Sequence, residues 1–348
     1  MSLFDDNLAG LQLTVEDYEL ERFEQDVSSG FLRVSTQLRL RGAGVEGVGE
    51  DVSYDAPDHD ALQAAGPVQP LAGSWTLGDF CDHVEKLDLW PAPPAHEASI
   101  KYRIWAYESA ALDLALKQAQ LPLHQVLGRE FSPLSYVVSV RLGKPSTIAP
   151  LRRRLDAYPS LRFKLDPTND WTPALVAEIA ATEAVAALDF KGYYAGSIVD
   201  VEPDPELYRL VIDAFPDAWL EDPHEVLYDL VEPYADRVTW DGPIHSVEDI
   251  RSRPWPPRMV NIKPSRIGPL REVTGAYEYC EAHSIGMYGG GQFELGVGRD
   301  QIQYLACMFH PDSPNDVAPG GFNIDDPPAG LPVSPIALRP AAAGFQLA

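Results

Sequence analysis

Five charged side chains recur along the chain in the order Lys164, Asp189, Glu221, Asp241 and Lys263, each within or just after a short apolar run that breaks at Pro, Gly or Asn. Asp189, Glu221 and Asp241 are hard oxygen ligands of the kind Mg²⁺ takes, few enough to leave positions for water and a substrate carboxylate. A lysine beside a metal in a partly dry pocket has a lowered pKa, which suits a general base near neutral pH. Three carboxylates between two lysines therefore predict removal of a proton α to a carboxylate, with Mg²⁺ holding the substrate and stabilising the enediolate. Taken singly, each acid reads as a strand-end residue in a salt bridge and each lysine as its counter-charge; the ordered set carries the prediction. Lys191 lies two residues beyond Asp189, on the same face if the strand continues. It reads as a third proton donor, as a counter-charge, as an ammonium in the metal position, or as plain surface chemistry beside Gly192.

Elements that bring such residues together must end side by side. From Ser135 onward the chain alternates, with strands expected at 136–142, 161–165, 186–190, 217–221, 238–241, 259–263 and 285–288. Helices are expected at 147–157, 173–184, 204–214, 225–235, 246–252, 269–283 and 297–309. Seven strand–helix units with charged strand ends predict a parallel α/β barrel with one composite site. Ahead of it, Leu11–Arg22, Phe31–Leu40 and Val45–Tyr54 read as an antiparallel sheet with turns at Ser28-Ser29-Gly30 and Arg41–Gly44. Asp51–Gly73 is polar and rich in Ala and Pro, a loop by composition. A helix capped by Thr76 is expected to reach about Leu87, and a second spans Glu97–Gln118 with an apolar stripe of Ile100, Ile104, Tyr107, Ala111, Leu114 and Leu116. Gly128 marks a helix end. The Pro- and Gly-rich tail after Phe309 is expected to wrap back onto the N-terminal sheet.

Composition bounds the function. At 348 residues with 45% apolar content the chain can bury a large core. Its 52 acidic against 27 basic residues give a net charge of -25, which repels nucleic acid and anionic membranes. Cys81, Cys280 and Cys307 have no CxxC spacing and predict a thiol-reducing cytoplasm; the N-terminus resembles no export signal. The run Gly289-Gly290-Gly291 lets backbone approach a ligand closely, but its spacing is no dinucleotide fingerprint. Glu294 reads as an orienting partner for a lysine or as a surface acid. No GxSxG elbow and no HExxH pair are present. Arg141, Arg162 and Arg266 are candidates for a remote substrate anion, with structural salt bridges as the alternative.

These motifs resemble the enolase superfamily, in its muconate lactonizing enzyme-like and mandelate racemase-like branch, over nearly the whole chain. Gly47-Val48-Gly49-Glu50 is similar to the Gly-x-Gly-Glu that ends the capping sheet, Ala106–Leu116 to the Ala-rich helix before the barrel, and Val260–Gly268 to the sixth-strand motif around Lys263. The resemblance implies a modified (β/α)7β TIM-type barrel over 131–312 and an α+β capping domain over 1–130, with the tail 313–348 completing the barrel and packing on the cap. It implies Mg²⁺ on Asp189, Glu221 and Asp241, with Lys164 and Lys263 as opposed acid/base groups; Lys191, read from its own place two residues past Asp189, is a further catalytic candidate. Arg162, Arg141, Glu294 and Gly290 are the expected substrate-binding residues. Loops at Phe23–Phe31 and Asp51–Asp60 would shape substrate choice. The chain departs from the family where Arg162 replaces the first lysine of Lys-x-Lys, Lys191 replaces an Asn and Gly242 replaces a Glu, the last two beside metal ligands.

The expected function is Mg²⁺-dependent proton abstraction from a small-molecule carboxylate with an isomerising outcome: a cycloisomerase, racemase or epimerase. Two alternatives stand beside it. One is dehydration of a hydroxy carboxylate, including o-succinylbenzoate synthase-like chemistry with Lys191 as leaving-group acid; the other is an altered ligand-binding member of the superfamily. A homo-oligomer is expected, with no nucleic-acid or membrane partner.

Overall fold

The computed structural model describes residues 2–26, 31–197 and 199–348. The expected Ser28-Ser29-Gly30 turn lies outside them. The first long strand is two: β1 (Gln12–Val15) pairs antiparallel with β5 (Gly73–Thr76), and after Glu16 the chain enters β2 (Asp17–Asp26). β2 joins β3 (Leu32–Gly42) and β4 (Val45–Asp51) in an antiparallel meander, with Gly42 opposite Val45 across the turn.

This sheet packs on the Ser99–Gln118 helix through glycine. A Cβ on Gly49 would stand 2.0 Å from Ala106 O, and one on Gly47 2.2 Å from Ala110 O. Only a residue without a side chain lets strand and helix backbones come this close. The helix is enclosed nearly all round: Tyr102, Arg103 and every residue from Trp105 to Leu116 are buried, while Ile100, expected in its apolar stripe, is 39% exposed. A helix buried on nearly all sides belongs between layers, and this one lies between the sheet and the barrel, its Arg103, Glu108 and Asp113 buried with its apolar residues.

The segment 51–73 is a correction. It contains the helix Ala56–Ala65, with Pro57 in its first turn. His59 is buried, its ring nitrogens bonded to Thr36 Oγ1 (2.9 Å) and Ser53 O (2.9 Å). Two buried arginines hold the approach. Arg103 donates to Asp51 Oδ2 (2.7 Å) and Asp58 O (3.3 Å), and Arg33 to Val52 O, Ser53 O and the barrel-loop carbonyls of Gln292 (2.9 Å) and Phe293 (3.1 Å).

The barrel strands are β6 (Val138–Val140), β7 (Phe163–Leu165), β8 (Val185–Asp189), β9 (Trp219–Glu221), β10 (Val238–Trp240), β11 (Met259–Ile262) and β12 (Gly286–Gly289). They form one parallel sheet in chain order. Closure comes from the tail. Asn315 bridges to Tyr136 ahead of β6, and Asp316 bridges to Gly290 after β12, both in parallel sense. Asn315 stitches this eighth rung: its Oδ1 accepts Gly289 N–H (2.6 Å) and its Nδ2 donates to Ser135 O (2.9 Å) and His310 O (2.9 Å). The result is a (β/α)7β barrel with an α+β cap.

The end of the tail meets the cap through the long helix rather than the sheet strands: Phe345 N–H donates to Asp113 Oδ1 (2.8 Å), and its ring packs on Trp105 and Tyr304. Glu50 joins cap to barrel, accepting Ser35 Oγ–H (2.6 Å) and the N–H groups of Leu295 (2.7 Å), Gly296 (3.0 Å) and Gly298 (2.9 Å) at the start of the last barrel helix, Val297–Phe309. A carboxylate there satisfies orphan donors and complements the helix dipole.

Candidate active site

Charged residues mark the ends of successive strands. β8 ends on Asp189 and β9 on Glu221, which are register partners; Asp241 follows β10 and Lys263 follows β11, while Lys164 is the central residue of β7. Three strands separate β7 from β11, so the two lysines approach from different walls of the barrel. Lys164, Asp189, Glu221, Asp241 and Lys263 are all buried.

The Lys164 ammonium bonds Glu221 Oε1 and lies 3.1 Å from Asp189 Oδ2 and 3.5 Å from Asp316 Oδ2. Across the barrel, Lys263 Nζ donates to Asp241 Oδ2 (2.9 Å), and Arg266 Nη1 donates to Asp241 Oδ1 (2.7 Å) and Asp241 O (2.6 Å). The Tyr194 hydroxyl also donates to Asp241 Oδ2 (3.3 Å). Both oxygens of Asp241 are thus engaged. Among the described residues, Asp189, Glu221 and Asp222 each offer one carboxylate oxygen within 4.8 Å of the others'. Asp222 accepts the N–H groups of Asp241 (2.9 Å) and Gly242 (2.7 Å). A side chain at Gly242 would meet Asp222 Oδ2 and Tyr193 Cβ, each at 3.0 Å. A side chain there would press on both, so glycine leaves Asp222 its place.

The cluster fits a hard cation. Glu221 Oε2 is buried with no hydrogen-bond partner. Burial raises the Glu221 carboxyl well above its usual range against the pull of Lys164, and Asp189 and Asp241 add to the rise. Asp222 is pushed up to about 7, by burial first and then by Asp241 and Asp189. Buried negative charge that its neighbours do not balance is stabilised by a cation, and an all-oxygen donor set favours Mg²⁺ or Ca²⁺ over softer metals.

The two lysines differ. Burial opposes charge on both, but at Lys164 the surrounding Glu221, Asp189, Asp316 and Asp241 outweigh it and hold the ammonium protonated. Lys263 is pushed down, by burial and then by Arg266 and Lys164, with Asp241 the opposing influence.

Other expected residues divide. Lys191 joins the group: its ammonium bonds Asp189 Oδ2. Gly290 also joins it, since a Cβ there would stand 2.7 Å from Lys263 Cε. Arg141 reaches the rim through Asp166 Oδ2 (2.8 Å). Arg162 stands apart, exposed and donating to Val185 O (3.1 Å) where β8 begins. Glu294 is buried in the β12 loop, accepting Gln292 N–H, with Arg299 Nη2 at 3.4 Å from its Oε2. Sequence reasoning missed Asp222, Asp166 and Asp316. Asp222 had a signal in Glu221-Asp222-Pro223, where proline ends the strand and a positive φ of 48° turns the side chain.

A seven-stranded parallel sheet closed by an eighth rung, capped by an α+β unit built around a Gly-x-Gly-Glu strand, is the architecture of the enolase superfamily. The chain has that architecture and is similar to enzymes of the superfamily, of muconate lactonizing enzyme and mandelate racemase type. Among solved structures, an enolase superfamily member from Listeria innocua matches with a TM-score of 0.66 at 18% identity, covering 88% of this chain and 86% of that one. Muconate lactonizing enzyme matches with a TM-score of 0.64 at 19% identity, covering 96% and 94%. Among curated proteins, the N-succinylamino acid racemase of Thermus thermophilus is 27% identical over 313 residues, 85% of this chain and 81% of that protein. The o-succinylbenzoate synthase of Geobacillus stearothermophilus is 26% identical over 301 residues, 79% and 74%. The chain belongs to the family described as "Domain of unknown function (DUF8230)", whose N-terminal-domain profile matches residues 6–126 and whose C-terminal-domain profile matches 130–324. Among the described residues no helix is long and apolar enough to cross a membrane.

Proposed function

We propose that this enzyme isomerises a small-molecule carboxylate by moving the proton α to the carboxyl group, with N-acylated amino acids as the substrate class to test first. One observation carries the reading: from one wall of the barrel Lys164 meets Asp189 and Glu221, and from another Lys263 meets Asp241, whose N–H bonds the adjoining Asp222. In one direction Lys263, free of its proton, takes the α-hydrogen from one face of the substrate. The Lys164 ammonium delivers a proton to the opposite face, leaving the mirror configuration. Lys263 is then charged and Lys164 neutral, so the reverse reaction exchanges their roles. Asp189 and Glu221 would hold Mg²⁺ with a third carboxylate: Asp241, the ligand the family resemblance implies, would first have to release Lys263, Tyr194 or Arg266, whereas Asp222 already lies beside the other two. The ion would supply positive charge to the substrate carboxylate. Asp241, held by Arg266 on its other oxygen, anchors Lys263 and limits how far that base can wander.

The Thermus relative, named as a racemase, supports this outcome. A second reading, elimination of water from a hydroxy carboxylate, is favoured by the relatives named o-succinylbenzoate synthase. The enzyme would work in a thiol-reducing cytoplasm, a setting that suits three buried free cysteines.

The test is exchange of the α-hydrogen of N-succinyl and N-acetyl amino acids in D₂O, followed by NMR, with the product checked for inversion. Lys164→Ala and Lys263→Ala should each slow inversion by about 10²- to 10⁴-fold, the usual loss of an acid/base group. Full inversion without either lysine refutes the reading, and a dehydrated product would transfer support to the elimination.

A further inference from the structure

The cation cluster carries an internal competitor. Lys191 lies two residues past Asp189 at a φ of 57°, a left-handed conformation uncommon for a lysine. It engages Asp189 twice: its backbone N–H donates to Oδ1 (3.1 Å) and its ammonium to Oδ2. The same Oδ2 is 3.1 Å from Lys164 Nζ. Two ammonium groups therefore converge on one oxygen of a cluster carboxylate.

Lys191 is not a dangling surface chain. Its side chain is 13% exposed, with Asp166 Oδ1 at 3.6 Å and the Tyr194 ring centroid at 5.3 Å. Asp166 is itself fixed by Arg141. The next residue is pinned: Gly192 N–H donates to Asp222 O (2.9 Å), and a Cβ there would stand 2.6 Å from the His224 backbone. The loop after β8 is thereby seated on the loop after β9, and the ammonium stays beside Asp189.

We infer that Lys191 is a resident cation that competes with a divalent ion for Asp189 and sets a weak ion affinity for the cluster. An ion bound there must take Asp189 Oδ2 from the ammonium and remain beside its charge, two effects that both oppose binding. This inference rests on the cation site advanced under the proposed function.

Titration of free Mn²⁺ by electron paramagnetic resonance, and of Mg²⁺ by calorimetry, separates the two ideas on whole protein at one pH and salt concentration. Lys191→Met and Lys191→Asn should bind Mn²⁺ at least tenfold more tightly than the wild type, and Lys191→Arg, which keeps the charge, should not. Glu221→Gln should lose binding. If Glu221→Gln loses the ion while both charge-removing variants bind no more tightly than the wild type, the role of Lys191 is overturned and the cluster stands. If binding ignores Glu221→Gln, or no variant binds either ion, the cation site falls and this inference with it.

Discussion

Glu108 gives a pH dependence whose size follows from its surroundings. It lies on the long cap helix with no solvent exposure; Oε2 accepts Leu270 N–H (2.6 Å) at the start of the Leu270–Ala282 helix, and Oε1 has no partner. Burial pushes its carboxyl from 4.5 to about 8, with Glu85 adding to the rise and the Leu270 N–H, Cys81 and Arg271 opposing it. A folded-state pKa above the unfolded one means that the neutral form is preferred in the native protein. The stability this group contributes is complete below pH 4.5 and is lost as pH rises through about 8. At ~1.4 kcal/mol per pH unit, the whole interval is worth about 5 kcal/mol. Glu108→Gln keeps the shape and cannot ionise. Between about pH 5 and about pH 8.5 its unfolding free energy should gain about 4 kcal/mol relative to the wild type, because the wild type alone pays to bury the charge. Urea unfolding of both proteins across that range, with equal m-values, measures the difference. A gap that does not change with pH would refute the burial argument. A gap that narrows toward high pH would mean that the helix N-terminus stabilises the carboxylate more than burial penalises it.

Two further perturbations probe the cap and the closing rung. Gly49→Ala drives a methyl into Ala106 O and Ser109 Oγ, and should cost at least the ~1–3 kcal/mol of core overpacking; an unchanged denaturation midpoint would count against the close strand–helix contact. Asp316→Asn removes the partner of Lys164 that lies outside the acidic cluster. It should lower the pKa of Lys164 and reduce inversion by about tenfold while leaving the fold intact, as read from the pH dependence of exchange; an identical pH profile would exclude Asp316 from the site.

How much of this was legible in the sequence depended on whether the signal was local. The strands carrying Lys164, Asp189 and Glu221 announce themselves because each is a short apolar run stopped by proline or glycine, with Asp189 and Glu221 where the strand stops and Lys164 within it. The glycines of β4 were legible as a motif, although their reason, contact with a helix backbone some sixty residues later, was not. The Ala56–Ala65 helix was hidden because its approach is held by Arg103 and Arg33, side chains from a distant helix and strand that leave no trace in the segment's own composition. Asp222 was hidden by the period of a strand. Alternation sends the residue after Glu221 away from the pocket, and only the left-handed turn at φ 48° brings its carboxylate to within 4.8 Å of Asp189 and Glu221.

Asp316 was hidden more deeply, because the closing rung has no apolar run to betray a strand. It is held by the Asn315 side chain and two backbone bridges, so a polar stretch of tail completes the barrel and delivers a carboxylate to Lys164. The residues that sequence reasoning lost are thus those whose position is set by one backbone turn or one side-chain amide rather than by a repeating pattern. They also surround the acid/base lysine and the cation cluster. A reading of this site from strand ends alone recovers the charges that do the proposed chemistry and omits three carboxylates beside them, Asp222, Asp166 and Asp316.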